Sequence, residues 1–216
     1  LMEALDIESA DIGLPGAGPH VVRDVERLAK EIVAAKLRIR PNCAARTTLG
    51  DITPVVEISQ RAGIAIECCT FIGSSPIRME VEGWDVDHLL KVSEKALAYA
   101  GANHMPIMFV TEDTCRATPE AIRRLYRTAI SAGAKRICVC DTVGHATPQG
   151  ARSLVAFVKK VVDSTGADVG IDWHGHRDRD FAVINSLAAL EAGATRLHGA
   201  GIGIGERVGN TPMDML

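Results

Sequence analysis

Short apolar runs alternate with amphipathic stretches along the whole chain. The runs at Ala10–Leu14, Leu37–Pro41, Ala65–Phe71, Met105–Val110, Arg136–Cys140, Asp168–Trp173 and Thr195–His198 read as strands. Between them the apolar positions shift to helical spacing. Val22, Val25, Leu28, Ile32 and Val33 mark a helix over Val21–Ala35, and Thr53–Ala62, Val86–Ala100, Pro119–Ala132, Thr147–Ser164 and Ala182–Ala192 follow suit. Ala-Gly pairs close several of them, at Gly63, Gly101, Gly133 and Gly193, as expected of glycine just past a helix end. Strands alternating with helices imply a parallel sheet joined by right-handed crossovers. Repetition of that unit predicts an α/β fold, a single (β/α)8 TIM-barrel domain over residues 1–216, in preference to an open sheet. No Gly-x-Gly-x-x-Gly follows the first strand, which disfavours a dinucleotide fold, and the glycine run Gly201–Gly205 comes only after the last strand.

Two ends shape the expectation further. Met2–Leu5 reads as the tail of a helix, so the strand that completes an eightfold barrel is expected before Leu1. Thr211-Pro212 reads as the start of another helix. The expected architecture is a barrel lacking its first strand and its C-terminal part in this chain.

Composition narrows the function classes. A net charge of −3 gives no electrostatic reason to expect nucleic acid or an anionic membrane as partner. With 4% aromatic residues, base-stacking platforms are not expected either. No apolar run is long enough to span a bilayer and no signal peptide is visible, so the expected location is cytoplasmic. The six cysteines include the adjacent Cys68 and Cys69 and the alternating Cys138 and Cys140, placements that suit reduced thiols in strands rather than a disulfide framework.

Candidate chemistry gathers at the strand ends. Side chains two apart on a strand share a face. His174 and His176 therefore present two imidazoles side by side at a strand's C-terminal end, the functional face of a parallel barrel, and make half of a plausible divalent-metal site. Other strand ends offer Arg46, the loop Gly73–Arg78, Glu112 and Asp113 with Arg116, Asp141-Thr142, and Gly203–Asn210. Arginines, an acidic pair, hydroxyls and histidines together suit a metal-bound substrate carrying a carboxylate. Each also has a structural alternative. Glu112-Asp113 can complement a helix dipole, Asp141-Thr142 can cap a turn, and Arg46 and Arg78 can be solvated charges. Glu206 and Arg207 are expected to shape the last loop by pairing with each other or with backbone, and His145 and His198 to be structural or exposed.

Several segments, in order and spacing, carry a family resemblance. They are Ile12-Gly13-Leu14-Pro15, Thr111-Glu112-Asp113 with Arg116, Asp141-Thr142-Val143-Gly144 with Thr147-Pro148, His174-x-His176-x-Asp178, Asn185–Ala189, Ala192-Gly193-Ala194, and Gly203-Ile204-Gly205-Glu206-Arg207-x-Gly209-Asn210. Together they resemble the metal-dependent superfamily of 2-isopropylmalate synthase, homocitrate synthase, citramalate synthase and 3-hydroxy-3-methylglutaryl-CoA lyase. The resemblance implies an acyltransferase that condenses acetyl-CoA with a 2-oxo acid, as in amino-acid biosynthesis, with a divalent metal (Mg2+, Mn2+ or Zn2+). It implies His174 and His176 as metal ligands, and Asn210 as a ligand or close neighbour of the metal. It places Thr142 on the 2-oxo acid's carboxylate, Glu112 near the metal and the reacting oxygens, and Arg78 near a substrate-contacting position that could select a distal carboxylate. It also implies a homodimer in the full-length parent.

Gly-Ile-Gly-Glu-Arg-x-Gly-Asn favours the synthase branch, because the lyase branch carries a cysteine in a glycine-rich loop before its Gly-Asn and no cysteine follows Cys140. A lyase running the retro-Claisen cleavage, or an inactive barrel fragment, are the alternatives. Three departures stand out. The family's first-strand Arg-Asp-Gly, source of a metal-ligating Asp and a catalytic Arg, has no counterpart here. Asp11 stands where many synthases have Glu, and Arg177 where they usually have Asn. Residues 1–216 alone are accordingly expected to be weak or inactive.

Overall fold

The computed structural model describes all 216 residues. Seven strands form one sheet: β1 (Ser9–Asp11), β2 (Arg40–Arg46), β3 (Glu67–Gly73), β4 (Ile107–Glu112), β5 (Arg136–Asp141), β6 (Gly170–Gly175) and β7 (Arg196–Leu197). They lie in sequence order and every neighbouring pair is parallel. Helices α1 (Pro19–Ala34), α2 (Leu49–Ala62), α3 (Pro76–Glu82), α4 (Val86–Ala102), α5 (Pro119–Ser131), α6 (Pro148–Asp163) and α7 (Ala182–Glu191) connect them. None is long and apolar enough to cross a membrane.

The sheet is strongly curled. Arg196 on β7 donates to the Glu67 carboxylate on β3 at 2.8 Å. Four strand spacings in a flat sheet amount to about 19 Å, beyond the reach of these two side chains. The sheet must therefore bend until β7 faces β3 across a lumen, which is the wall of a partial TIM barrel. The ladder does not close, since no hydrogen bonds join β7 to β1.

Strand alternation sorts the two faces. Cys68, Ile72, Ile107, Phe109, Ile137, Val139, Ile171 and Trp173 point outward into the main apolar core beneath the helices. Each large side chain buried there contributes roughly 1.5–3 kcal/mol. The alternate positions line the lumen, where Cys69, Met108, Cys138 and Cys140 form a small apolar cluster. All six cysteines are free, and all but Cys115 are buried.

The boundaries differ from the sequence reading in instructive places. The second strand is Arg40–Arg46, not Leu37–Pro41. Asn42–Arg46 looks like a polar loop, yet Cys43 and Ala45 fill the outer core while the residues between them face the lumen, so only every other residue had to be apolar. The stretch after β3, read as a loop, contains helix α3. Ser75 caps it by accepting from the Arg78 amide, Pro76 opens it, and Gly83 closes it at φ 67°. Thr48 likewise caps α2, which starts at Leu49 rather than Thr53. Met2–Leu5 contains only a 3-10 turn, Glu3–Leu5.

Candidate metal centre and active site

β6 and the residue just beyond it deliver the two histidines expected from the alternation. His174 and His176 both face the lumen mouth, and their Nε2 atoms lie 3.1 Å apart with the rings nearly perpendicular at 79°. Two imidazole nitrogens on one cation, each about 2.1 Å from it, span a similar distance. The His176 Nδ1 lies 3.2 Å from the Gly209 carbonyl. A carbonyl only accepts, so Nδ1 carries the proton and the Nε2 lone pair points into the site. Burial, reinforced by the neighbouring His198 and His176, pushes His174 down to about 3 and keeps it in the neutral, ligand-competent form.

Asn210 joins them through the last loop. The Arg177 amide donates to Gly209, the Thr211 amide donates to Gly175, and His176 and Asn210 form an isolated antiparallel bridge. The Asn210 Nδ2 donates to the Ile204 carbonyl at 3.2 Å, while its Oδ1 is buried with no partner. An orphaned buried acceptor costs about 1–3 kcal/mol unless something satisfies it. The glycines of this loop have a local reason. A Cβ on Gly205 would run into the Asn210 amide, and one on Gly209, at φ 123°, into the Gly203 carbonyl.

No group of three or more His, Cys, Asp or Glu side chains gathers at this point. The donor set is two imidazoles and one amide oxygen. Those nitrogen and oxygen donors, with the free Asn210 oxygen beside them, fit a divalent cation that keeps open positions for other ligands.

The remaining candidates ring the same mouth. Thr142, just beyond β5, accepts the Asp113 amide at its Oγ1, 2.8 Å. That leaves the hydroxyl hydrogen free for another acceptor. Glu112 ends β4 half-buried; its carbonyl accepts from the Ser74 amide and hydroxyl, and its carboxylate forms no ion pair. Arg78 sits on α3 with its aliphatic stem laid across Gly73, so closely that a Cβ there would meet it. Gly73 is the register partner of Glu112, which places Arg78 beside that carboxylate's strand. The Arg78 guanidinium is meanwhile paired with Glu82 at 3.0 Å.

Other motif residues are supports. Asp113 grips Arg116 through contacts of 2.7–3.0 Å. Asp141 accepts the His145 and Ala146 amides and the Asn185 side chain, and so organises the β5 turn. Arg46 is tied to Asp51 at 2.7 Å instead of being merely solvated. Arg207 pairs with Asp178 at 2.6 and 2.8 Å and donates to the Thr142 carbonyl, clasping the last loop onto the β5 loop. Its side chain lies 3.7 Å from Glu206, so loop shaping runs chiefly through Asp178.

Sequence reasoning missed the charged floor beneath the histidines. Asp172, fully buried on β6, takes Arg136 at 2.5 Å, Arg196 at 2.6 Å and His198 at 2.8 Å. Burial alone would raise its carboxyl, but His198, Arg196 and Arg136 outweigh that and hold it below the usual carboxylate range. His198, expected to be structural or exposed, faces the lumen beside His174. The signal was present, since Asp172, His174 and His176 share one alternation and Arg196 and His198 share another.

Residues 1–216 match the family described as HMGL-like. The chain is 33% identical over 216 residues to 2-isopropylmalate synthase of Lactococcus lactis subsp. cremoris (strain SK11), covering 99% of this chain and 40% of that protein. It is 32% identical over 222 residues to homocitrate synthase AksA of Methanopyrus kandleri, covering 99% and 51%. The chain thus spans about half or less of the length of these relatives. Among solved structures, HMG-CoA lyase of Bacillus subtilis superposes with a TM-score of 0.73 at 19% identity, over 99% of this chain and 74% of that one. At that identity the likeness shows the fold.

Proposed function

This chain belongs to the HMGL-like family, and we propose that the protein condenses acetyl-CoA with a 2-oxo acid. In this reading His174, His176 and Asn210 hold a divalent cation, Mg2+, Mn2+ or Zn2+. The observation that carries it is the pair of Nε2 atoms 3.1 Å apart beside the buried, unpartnered Asn210 Oδ1. The curated relatives named above, both of them synthases, support condensation over cleavage.

A cation bound there would supply Lewis acidity to the ketone oxygen of the 2-oxo acid. The chain's own groups do the rest. Thr142, its oxygen already accepting from the Asp113 amide, donates its hydrogen to the substrate carboxylate and sets its orientation. Glu112, unpaired at the end of the neighbouring strand, holds or moves a proton near the reacting oxygens. Arg78 exchanges Glu82 for a distal carboxylate where the 2-oxo acid carries one. His174 remains neutral throughout the working pH range because burial disfavours its cation.

The test is CoA release from acetyl-CoA by the full-length protein across a panel of 2-oxo acids with Mg2+ or Mn2+. Release with at least one acid, lost on chelation and reduced by more than about a hundredfold in His174→Ala, is the expected result. Absence of release with every acid would defeat the proposal, and acetyl-CoA production from a hydroxyacyl-CoA would turn it toward the lyase reaction.

A further inference from the structure

We infer that His198 is a positioning residue for the metal-ligand histidine His174, and that Asp172 holds it in that task. The inference rests on the reading of His174 and His176 as cation ligands.

The two ligand histidines are supported differently. His176 is tethered in the usual way for a metal ligand, with its Nδ1 on the Gly209 carbonyl. His174 has no such tether: its ring makes one hydrogen-bond contact, to His176 itself, through the Nε2 that would face the cation. What holds the ring is packing. The His198 ring stands against it edge-on, with centroids 5.5 Å apart and planes at 66°.

His198 is in turn fixed from behind. Its Nε2 lies 2.8 Å from the Asp172 Oδ2. Asp172 cannot swing away, because Arg136 holds Oδ1 at 2.5 Å and Arg196 holds Oδ2 at 2.6 Å. Arg196 is itself braced by Glu67 on the opposite wall at 2.8 Å. A rigid chain thus runs from β3 through Arg196, Asp172 and His198 to the His174 ring. An unrestrained imidazole would sample other rotamers and lose the entropy on binding the cation, whereas a packed one is already oriented.

Two substitutions separate ring packing from the hydrogen bond. His198→Gln keeps a donor for Asp172 but removes the ring; His198→Phe keeps the ring and removes the donor. Mn2+ affinity of the metal-free chain is measured by titration calorimetry, and the Co2+ absorption spectrum reports ligand geometry. The expected result for His198→Gln is a loss of Mn2+ affinity of about 10- to 100-fold, with an altered Co2+ spectrum. His198→Phe, which keeps the ring but loses its anchor on Asp172, is expected to fall between wild type and His198→Gln in Mn2+ affinity. If His198→Gln does not fold, His198→Leu, which fills volume without a flat ring, is compared with His198→Phe instead. Mn2+ affinity of the ringless variant equal to that of wild type or of His198→Phe overturns the inference. Wild-type protein whose Mn2+ binding does not exceed that of His174→Ala overturns the metal reading beneath it and the inference with it.

Discussion

Two regions of the lumen sit one above the other on the same face of β6 and obey opposite rules. Below, the Asp172 carboxylate has three cationic or donor partners within 2.8 Å. Above, His174 and His176 turn their Nε2 atoms toward each other, and the Asn210 oxygen is buried without a partner. Two residues along one strand separate a fully satisfied polar network from one left open. A satisfied network rigidifies its surroundings, whereas an open one keeps capacity for something else to bind. The lower region reads as scaffold and the upper as site.

The difference can be broken first by attacking the floor. Asp172→Asn leaves Arg136 and Arg196 facing each other without their shared counter-charge, and is expected to cost about 3–5 kcal/mol of unfolding free energy. Asn210→Ala removes an amide whose oxygen has no partner, and is expected to cost about 1 kcal/mol or less. Urea unfolding of both variants measures the contrast; equal losses would erase the distinction between the two regions.

Acidification should separate them next, in metal-free protein. Asp172 is held below its unfolded value near 3.9, so the unfolded chain takes up that proton first. The stability it contributes is fully present above about pH 4 and is lost as pH falls through its folded value. His174, pushed down to about 3, is also protonated first in the unfolded chain, whose histidine titrates near 6.5. Stability therefore declines on its account already from about pH 6.5 toward 3. Unfolding free energy measured from pH 7 to 3 is expected to fall in two stages, with the upper stage absent in His174→Gln. An unchanged upper stage in that variant would show that His174 is not the group responsible.

The smallest effect belongs to the loop that carries Asn210. Ile202 adopts φ 50°, a left-handed conformation that a β-branched side chain rarely takes, and it is 70% exposed. Ile202→Gly is expected to raise stability by up to about 1 kcal/mol, because relief of strain outweighs the added freedom of the unfolded chain. A loss of stability measured by urea unfolding would show that Ile202 is not strained.

Much of this was legible in the chain. The alternation of apolar runs and helical stretches foretold seven parallel strands and their crossovers, and the His-x-His spacing foretold two imidazoles on one face. The second strand was misplaced because a lumen-lining strand carries polar residues at alternate positions; Asn42 and Arg46 resemble a loop until the barrel's inside is known. Helix α3 was missed although Ser75-Pro76 and Gly83 bracket it, because seven residues are too few for a clear helical period. The pairing of His198 with Asp172 was not legible because it depends on Arg196 as well, which meets Glu67 from 129 positions away in the chain.

Local chemistry alone therefore settled which residues alternate, where helices are capped, and which side chains share a strand face, since these depend on neighbours a few residues apart. Strand pairing, loop return and the curl of the sheet decided the rest. Arg196 reaches Glu67 only when β7 faces β3, whereas Asp172 takes its three partners from the neighbouring strands β5 and β7 and the residue just past β7, and the last loop brings Asn210 back onto His176. Pairing between distant segments creates those contacts, and no spacing within a single strand encodes them.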